Sequence, residues 1–361
     1  MVTSAPVSRA TTVNLSLPDR LQRRVFRAAG LLPPPVLRAA GKLGPVNSDG
    51  ERLAAEMLPV TVATARVPGM ALHDGPPPVA RKRMDVTAAA MAQTFPPFAV
   101  EEDLTIDVAG GTIGATRYRA QDGPSRGLVV FYHGGGFVLG SRASHDSAVR
   151  ALAVASGADV LSVDYRLAPE FPFPTPVDDA LAAWRFAVDK ASGWGLDRHR
   201  IAVAGDSAGG NLSAVVSQLV RGEDVTPCLQ LLIYPVTDLG GESASRAEFA
   251  EGFFLTQEGM DYFTDHYIED RASLTDPRVS PMLTEDLSGL PPAYVVVAGF
   301  DPLRDEGIAY AEKLRAAGVP VTLRRAGNLI HGFINMTLIS PSAREEVARM
   351  GAAIVEAMPV E

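Results

Sequence analysis

The sequence predicts an α/β fold, with a mostly parallel central sheet flanked by helices and a helical N-terminal segment beside it. Three observations lead there. From about residue 101, short apolar runs alternate with stretches of helical periodicity, the pattern of a sheet covered on both faces. The chemically suggestive residues fall at the C-terminal ends of those runs, where sites gather in such sheets. Residues 1–100 carry no strand pattern and are punctuated by proline clusters.

Residues 104–108 and 115–118 read as an opening antiparallel pair. Buried strands follow at 128–132, 160–164, 201–204, 229–234, 294–298 and 321–324, each a short apolar run. The helices between them cover roughly 144–156, 177–191, 208–220 and 304–317, with a last one at 343–357. Ahead of this core, Pro33-Pro34-Pro35, Pro76-Pro77-Pro78 and Pro96-Pro97 separate alanine-rich helical stretches near 52–65 and 79–93. Residues 21–32 suit a short basic amphipathic helix with Leu21, Val25, Ala28 and Leu32 on one face, expected to dock on its own domain, with a membrane surface as the alternative.

A chain of 361 residues, 47% hydrophobic and 21% charged, holds one large α/β domain with an accessory segment, or two ordinary domains. The formal charge of -9 argues against a nucleic-acid surface and favours a soluble cytoplasmic protein. No stretch is apolar and long enough to span a bilayer, so no integral membrane association is expected. The first thirty residues hold Arg9, Arg20, Arg23, Arg24 and Arg27 without an uninterrupted apolar core, unlike a secretory leader. The single cysteine, Cys228, excludes an internal disulfide and a cysteine-based metal site. Following Pro227 at the head of an apolar run, it reads as a buried structural thiol.

The chemistry centres on Gly205-Asp206-Ser207-Ala208-Gly209-Gly210, between the run at 201–204 and a helical stretch. Strand, Gly-x-Ser-x-Gly, helix is the context of a nucleophile elbow, which sets a serine on a sharp turn at a helix N-terminus. His133-Gly134-Gly135-Gly136-Phe137 follows the run at 128–132, and its glycines expose successive backbone N–H groups of the kind an oxyanion hole requires. Asp301 lies just beyond 294–298 and is the carboxylate best placed to orient a histidine. Asp305 and Glu306 belong to the first turn of the next helix, where acidic residues suit the helix dipole. His331 sits in a loop after 321–324, giving the chain order Ser207, Asp301, His331. Of the other histidines, His133 shapes the glycine loop, and His73, His145, His199 and His266 read as surface or packing residues.

These motifs, with Asp164-Tyr165-Arg166-Leu167-Ala168-Pro169-Glu170 and His331-Gly332-Phe333, resemble the bacterial hormone-sensitive-lipase-like esterases of the α/β-hydrolase superfamily over about residues 100–357. The resemblance implies Ser207 as nucleophile, His331 as general base and acid, Asp301 as orienting acid, and Gly135, Gly136 and Ala208 as oxyanion donors. It implies a small-molecule ester as substrate and no cofactor or metal. A cap over the site is expected from residues 1–100 and from an insertion at 240–269 within a catalytic domain of 101–361. A homodimer is compatible with this reading. In the stretch at 164–170, Arg166 and Glu170 are expected to pair across a turn as structure. A lipase for longer chains and a non-catalytic receptor of the same fold are the rivals, and such receptors characteristically lack the histidine.

Overall fold

The computed structural model describes residues 13, 15–17, 19–20, 23–24, 44–67 and 70–360. The expected helix at 21–32 and the cluster Pro33-Pro34-Pro35 lie, but for two residues of the helix, outside them. The strands are β1 (Val100–Val108), β2 (Gly111–Arg119), β3 (Leu128–Tyr132), β4 (Asp159–Asp164), β5 (Ile201–Asp206), β6 (Gln230–Ile233), β7 (Ala293–Phe300) and β8 (Val321–Ile330). They form one sheet in the order β1-β2-β4-β3-β5-β6-β7-β8. β2 pairs antiparallel with β1 and β4, and every other pairing is parallel.

The helices are α1 (Leu58–Arg66), α2 (Pro77–Met91), α3 (Arg142–Ser156), α4 (Thr175–Ala191), α5 (Ala208–Leu219), α6 (Ala244–Glu248), α7 (Gln257–Tyr267), α8 (Arg304–Ala316) and α9 (Pro341–Ala357). Alternation along β3 shows how they divide. Leu128, Val130 and Tyr132 join Trp184 of α4 and Leu212 of α5 in one core. Val129 and Phe131 join Leu152 of α3 and Ile354 of α9 in the other. Every residue of β3, β5 and β7 is buried, which is why these strands read as unbroken apolar runs. The chain winds from β3 to β4 in one direction and returns to place β5 on the opposite side of β3. The ends of β3 and β5 therefore flank the switch point of the sheet, where a crevice opens.

Several details differ from expectation. The first helix near 52–65 starts later, because Arg52 pairs with Val46 in an isolated bridge and a 3-10 turn at Ala55–Met57 precedes α1. β8 continues to Ile330, so His331 follows a strand end directly and the loop before it is absent. Its second half, with Arg325, Gly327 and Asn328, carries turn-like composition, yet it pairs with β7 at Arg325 and Ala326 and again at Ile330, across an irregularity at Ala298/Phe300. There Gly299 and Gly327 lie backbone against backbone with no room for a side chain. Cys228 is half-buried, and burial pushes its thiol up to about 12. Among the described residues no helix is long and apolar enough to cross a membrane.

The expected pairing of Arg166 with Glu170 does not form. Arg166 turns to Asp179 of α4, whose carboxylate takes its main-chain N–H at 2.9 Å, Nε at 2.8 Å and Nη2 at 2.6 Å. Glu170 binds Arg81 of α2 instead, at 2.6 Å. The choice follows from burial: Asp179 is fully enclosed and needs a counter-charge, whereas Glu170 is half in water. Asp179→Ala is expected to cost about 2–3 kcal/mol, less than the full cost of breaking a buried pair because part of Arg166 stays solvated. Urea unfolding of the variant checks this, and a cost below about 0.5 kcal/mol, the range of a surface change, would show that the pair holds nothing in place.

Candidate active site

β5 ends at Asp206 and α5 begins at Ala208, leaving Ser207 alone on the turn with φ 56° and ψ −117°. Such a backbone is strained for a residue with a side chain and persists only where the surroundings impose it. Here they do. A side chain on Gly209 would run into the main-chain carbonyl of Tyr132, and one on Gly205 into the backbone of Gly209. The turn is further held by Ser207 N–H donating to Ile233 O at 2.9 Å.

Ser207 Oγ lies 3.0 Å from His331 Nε2, and His331 Nδ1 lies 2.8 Å from Asp301 Oδ2. A carboxylate at Nδ1 fixes the ring proton there and leaves Nε2 to accept from the serine hydroxyl. Asp301 is fully buried, and its other oxygen accepts from Leu303 N–H at 2.9 Å. The ring of Tyr234 packs against His331 at 4.6 Å between centroids. The structure thus brings the three predicted side chains into one line.

Asp305 and Glu306 do more than suit a helix dipole. Asp305 accepts from Ser245 N–H at 2.8 Å on α6. Buried Glu306 accepts from Thr237 N–H at 2.7 Å and pairs with Arg246 of α6 at 2.8 Å. Burial pushes its carboxyl above the usual range, against the pull of Arg246 and the Thr237 amide. The segment carrying the acid thereby fastens the insertion between β6 and β7.

The glycine loop curls over the end of β3. Gly135 and Gly136 take φ of 121° and 61°, open to glycine, and Gly136 has Phe263 of α7 directly against it. Their amides, like that of Ala208 at the head of α5, are used in no hydrogen bond among the described residues. Gly134 N–H donates to Asp206 Oδ1 at 2.8 Å, tying this loop to the residue before the nucleophile. His133 stacks on Tyr165 at 4.3 Å and its Nδ1 meets Gly134 O at 2.9 Å. Burial, with the neighbouring His145, lowers its pKa to about 4, so it shapes the loop as a neutral ring.

Two participants went unread in the sequence. Asp206 looked like one letter of a motif, yet its Oδ2 also receives Tyr234 Oη–H at 3.3 Å. His145, assigned to surface or packing, is fully enclosed beneath it, with Nε2 3.2 Å from Asp206 Oδ1 but off the line of a hydrogen bond. Burial opposes the charge on Asp206, but His145, the Gly134 amide and His331 together hold its carboxyl below the usual range. Nothing in the local sequence marks His145, because its partner lies sixty-one positions on in the chain.

Above Ser207 a cavity of about 250 Å³ opens. Val60 and Ala63 of α1, Met84 and Met91 of α2, and Leu255, Met260 and Phe263 of the insertion wall it, with Gly135, Gly136, Ser207 and His331 at its base. The cationic side chains on its wall are engaged elsewhere. Arg83 donates to Asp74 O and Ala71 O, each at 2.7 Å, and Arg246 to Asp238 O at 2.6 Å besides Glu306.

The depressed Asp206 carboxyl sets a pH expectation. Its contribution to stability is fully present above the unfolded-state value of about 3.9 and is lost as pH falls through the lower folded value. Wild type should therefore exceed Asp206→Asn in stability at neutral pH, and the gap should narrow below about pH 4. Chemical denaturation across pH 2.5–7, a window bracketing that reference value by roughly 1–3 units, checks it; a gap constant with pH would remove the ionised carboxylate from the account.

Comparison with known proteins agrees with this geometry. A family model described as the alpha/beta hydrolase fold matches residues 129–335. The carboxylic ester hydrolase LipN of Mycobacterium tuberculosis is 44% identical over 84% of this chain and 83% of its own length. The solved ester hydrolase from the metagenome of Lake Arreo, complexed with a bipyridine phosphonate derivative, is 41% identical. It covers 84% of this chain and 98% of its own, with a TM-score of 0.78. A thermostable esterase from Pseudomonas putida is 34% identical over 86% of this chain and 98% of its own, with a TM-score of 0.81. The chain belongs to the α/β-hydrolase superfamily, in its hormone-sensitive-lipase-like esterase branch.

Proposed function

We propose that this carboxylic ester hydrolase works through an acyl-enzyme on Ser207. The observation that carries the reading is the unbroken line from Ser207 Oγ to His331 Nε2 and from His331 Nδ1 to Asp301, at 3.0 and 2.8 Å. His331 takes the hydroxyl proton as Ser207 attacks the ester carbonyl, while Asp301 stabilises the imidazolium that forms. The amides of Gly135, Gly136 and Ala208 receive the oxyanion. His331 then protonates the leaving alcohol, and water repeats the sequence on the acyl-enzyme.

The cavity favours neutral, largely apolar esters, since the arginines on its wall are already bonded to carbonyls and carboxylates. We assign the cap to two pieces: the N-terminal segment within residues 1–100 and the insertion at 240–269 of the catalytic domain, 101–361. The side chains of α1, α2 and α7 around the cavity support that division. Walls on several sides imply short to medium acyl chains, roughly two to eight carbons, with longer ones excluded by length.

Ser207→Ala, Asp301→Ala and His331→Ala should each lower kcat for p-nitrophenyl butyrate by about 10⁴-fold or more, with double variants hardly worse than singles. Asp305→Ala should keep most of the turnover; the reverse result would move the acid role to Asp305. Along a p-nitrophenyl ester series, each methylene that fits should improve binding by at most about 0.8 kcal/mol until the wall is met. A kcat/KM that keeps rising beyond twelve acyl carbons, about 1.5 times the proposed limit, would rule out a closed pocket.

A further inference from the structure

Helix α2 does more than wall the cavity. Met84 and Met91 line that space, but Arg81 lies off the wall and grips main chain instead. Its Nε donates to Val138 O at 2.8 Å and its Nη2 to Ala168 O at 2.7 Å, while the same fork pairs with Glu170 at 2.6 Å. One turn on, Asp85 accepts from Ser141 Oγ at 2.6 Å, and Ser141 caps α3. α2 thus holds the chain leaving the glycine loop at both Val138 and Ser141.

The peptide between Gly135 and Gly136 shows why that grip matters. A peptide unit is planar and trans, so its C=O and N–H point in opposite directions. Gly135 O accepts from Val138 N–H at 3.1 Å and from Leu139 N–H at 2.8 Å. These two bonds fix the plane, and with it the direction of the Gly136 N–H, one of the proposed oxyanion donors. Arg81 steadies the same turn by taking the carbonyl of Val138. It acts a second time through Ala168, whose N–H donates to Phe137 O at 2.9 Å. We infer that Arg81 is a positioning residue for the reaction: by holding the carbonyls of Val138 and Ala168 it keeps the glycine loop in the conformation that aims the Gly136 amide at the oxyanion. This rests on the esterase reading above and adds to it a residue outside the cavity.

Arg81→Met keeps the apolar stem and removes every donor, so it tests the inference in the full chain. For p-nitrophenyl butyrate, kcat and kcat/KM should fall together by roughly ten- to thirtyfold, with KM little changed, because the lost interaction acts in the transition state. The fall stays short of the about 10²–10³-fold cost of deleting an oxyanion donor, since Leu139 N–H still holds Gly135 O. The trifluoromethyl ketone analogue of butyrate, whose carbonyl oxygen becomes an oxyanion when Ser207 Oγ adds to the carbon, should lose affinity by a similar factor. The acyl-length profile should not move. Where Arg81→Met fails to fold, Arg81→Lys, with one ammonium for two carbonyls, is held to the same pattern at smaller size. A higher KM or a shifted acyl-length profile, with kcat and ketone affinity intact, would make α2 a wall and nothing more. Wild-type values throughout would leave Arg81 without a part in turnover. Either result overturns the inference and leaves the esterase reading standing. A wild-type chain that neither hydrolyses the ester nor binds the ketone overturns both.

Discussion

The whole site depends on a contact between main chains. α5 lies so close to the ends of β3 and β5 that Gly209 sits under the carbonyl of Tyr132 and Gly205 sits against Gly209. No side chain fits between them, and this closeness holds Ser207 in a backbone conformation it would otherwise leave. The same contact points the first amides of α5 at the serine and sets the glycine loop of β3 beside it. Methyl-sized additions at either glycine would push the helix off the sheet and separate the nucleophile from both.

A second layer of order comes from buried carboxylates that each serve several segments. Asp206 holds the glycine loop through Gly134 and, through Tyr234, the ring that packs on His331. Asp301 orients His331 and caps the turn at Leu303. Glu306 joins α8, α6 and the chain after β6. Each such group resists burial, so each is surrounded by donors, and those donors come from different parts of the chain.

How much of this was readable followed from how local its cause is. Strands buried on both faces announce themselves as apolar runs, and the elbow, the glycine loop, Asp301 and His331 lie at their ends. β8 extends past the expected 321–324 because Arg325, Gly327 and Asn328 give the rest of an edge strand the composition of a loop. Arg166 was matched with Glu170 because proximity in sequence suggested it, whereas Asp179 is one turn into a helix that only folding brings near. His145 gave no sign, since an enclosed polar residue is defined by what surrounds it in space.

Arg304 has a consequence for how such enzymes diversify. Its guanidinium, almost wholly enclosed, faces Asp49 at 3.1 Å, Glu248 at 3.4 Å and Asp305 at 2.8 Å. These carboxylates belong to the strand-like lead-in before α1, to the insertion, and to the segment following the acid. One cation thus fastens the lead-in before α1 and the chain between β6 and β7 to the scaffold beneath them. A segment transplanted from a relative would arrive without its share of that charge balance and leave the enclosed guanidinium short of a partner, unless the matching segment came with it.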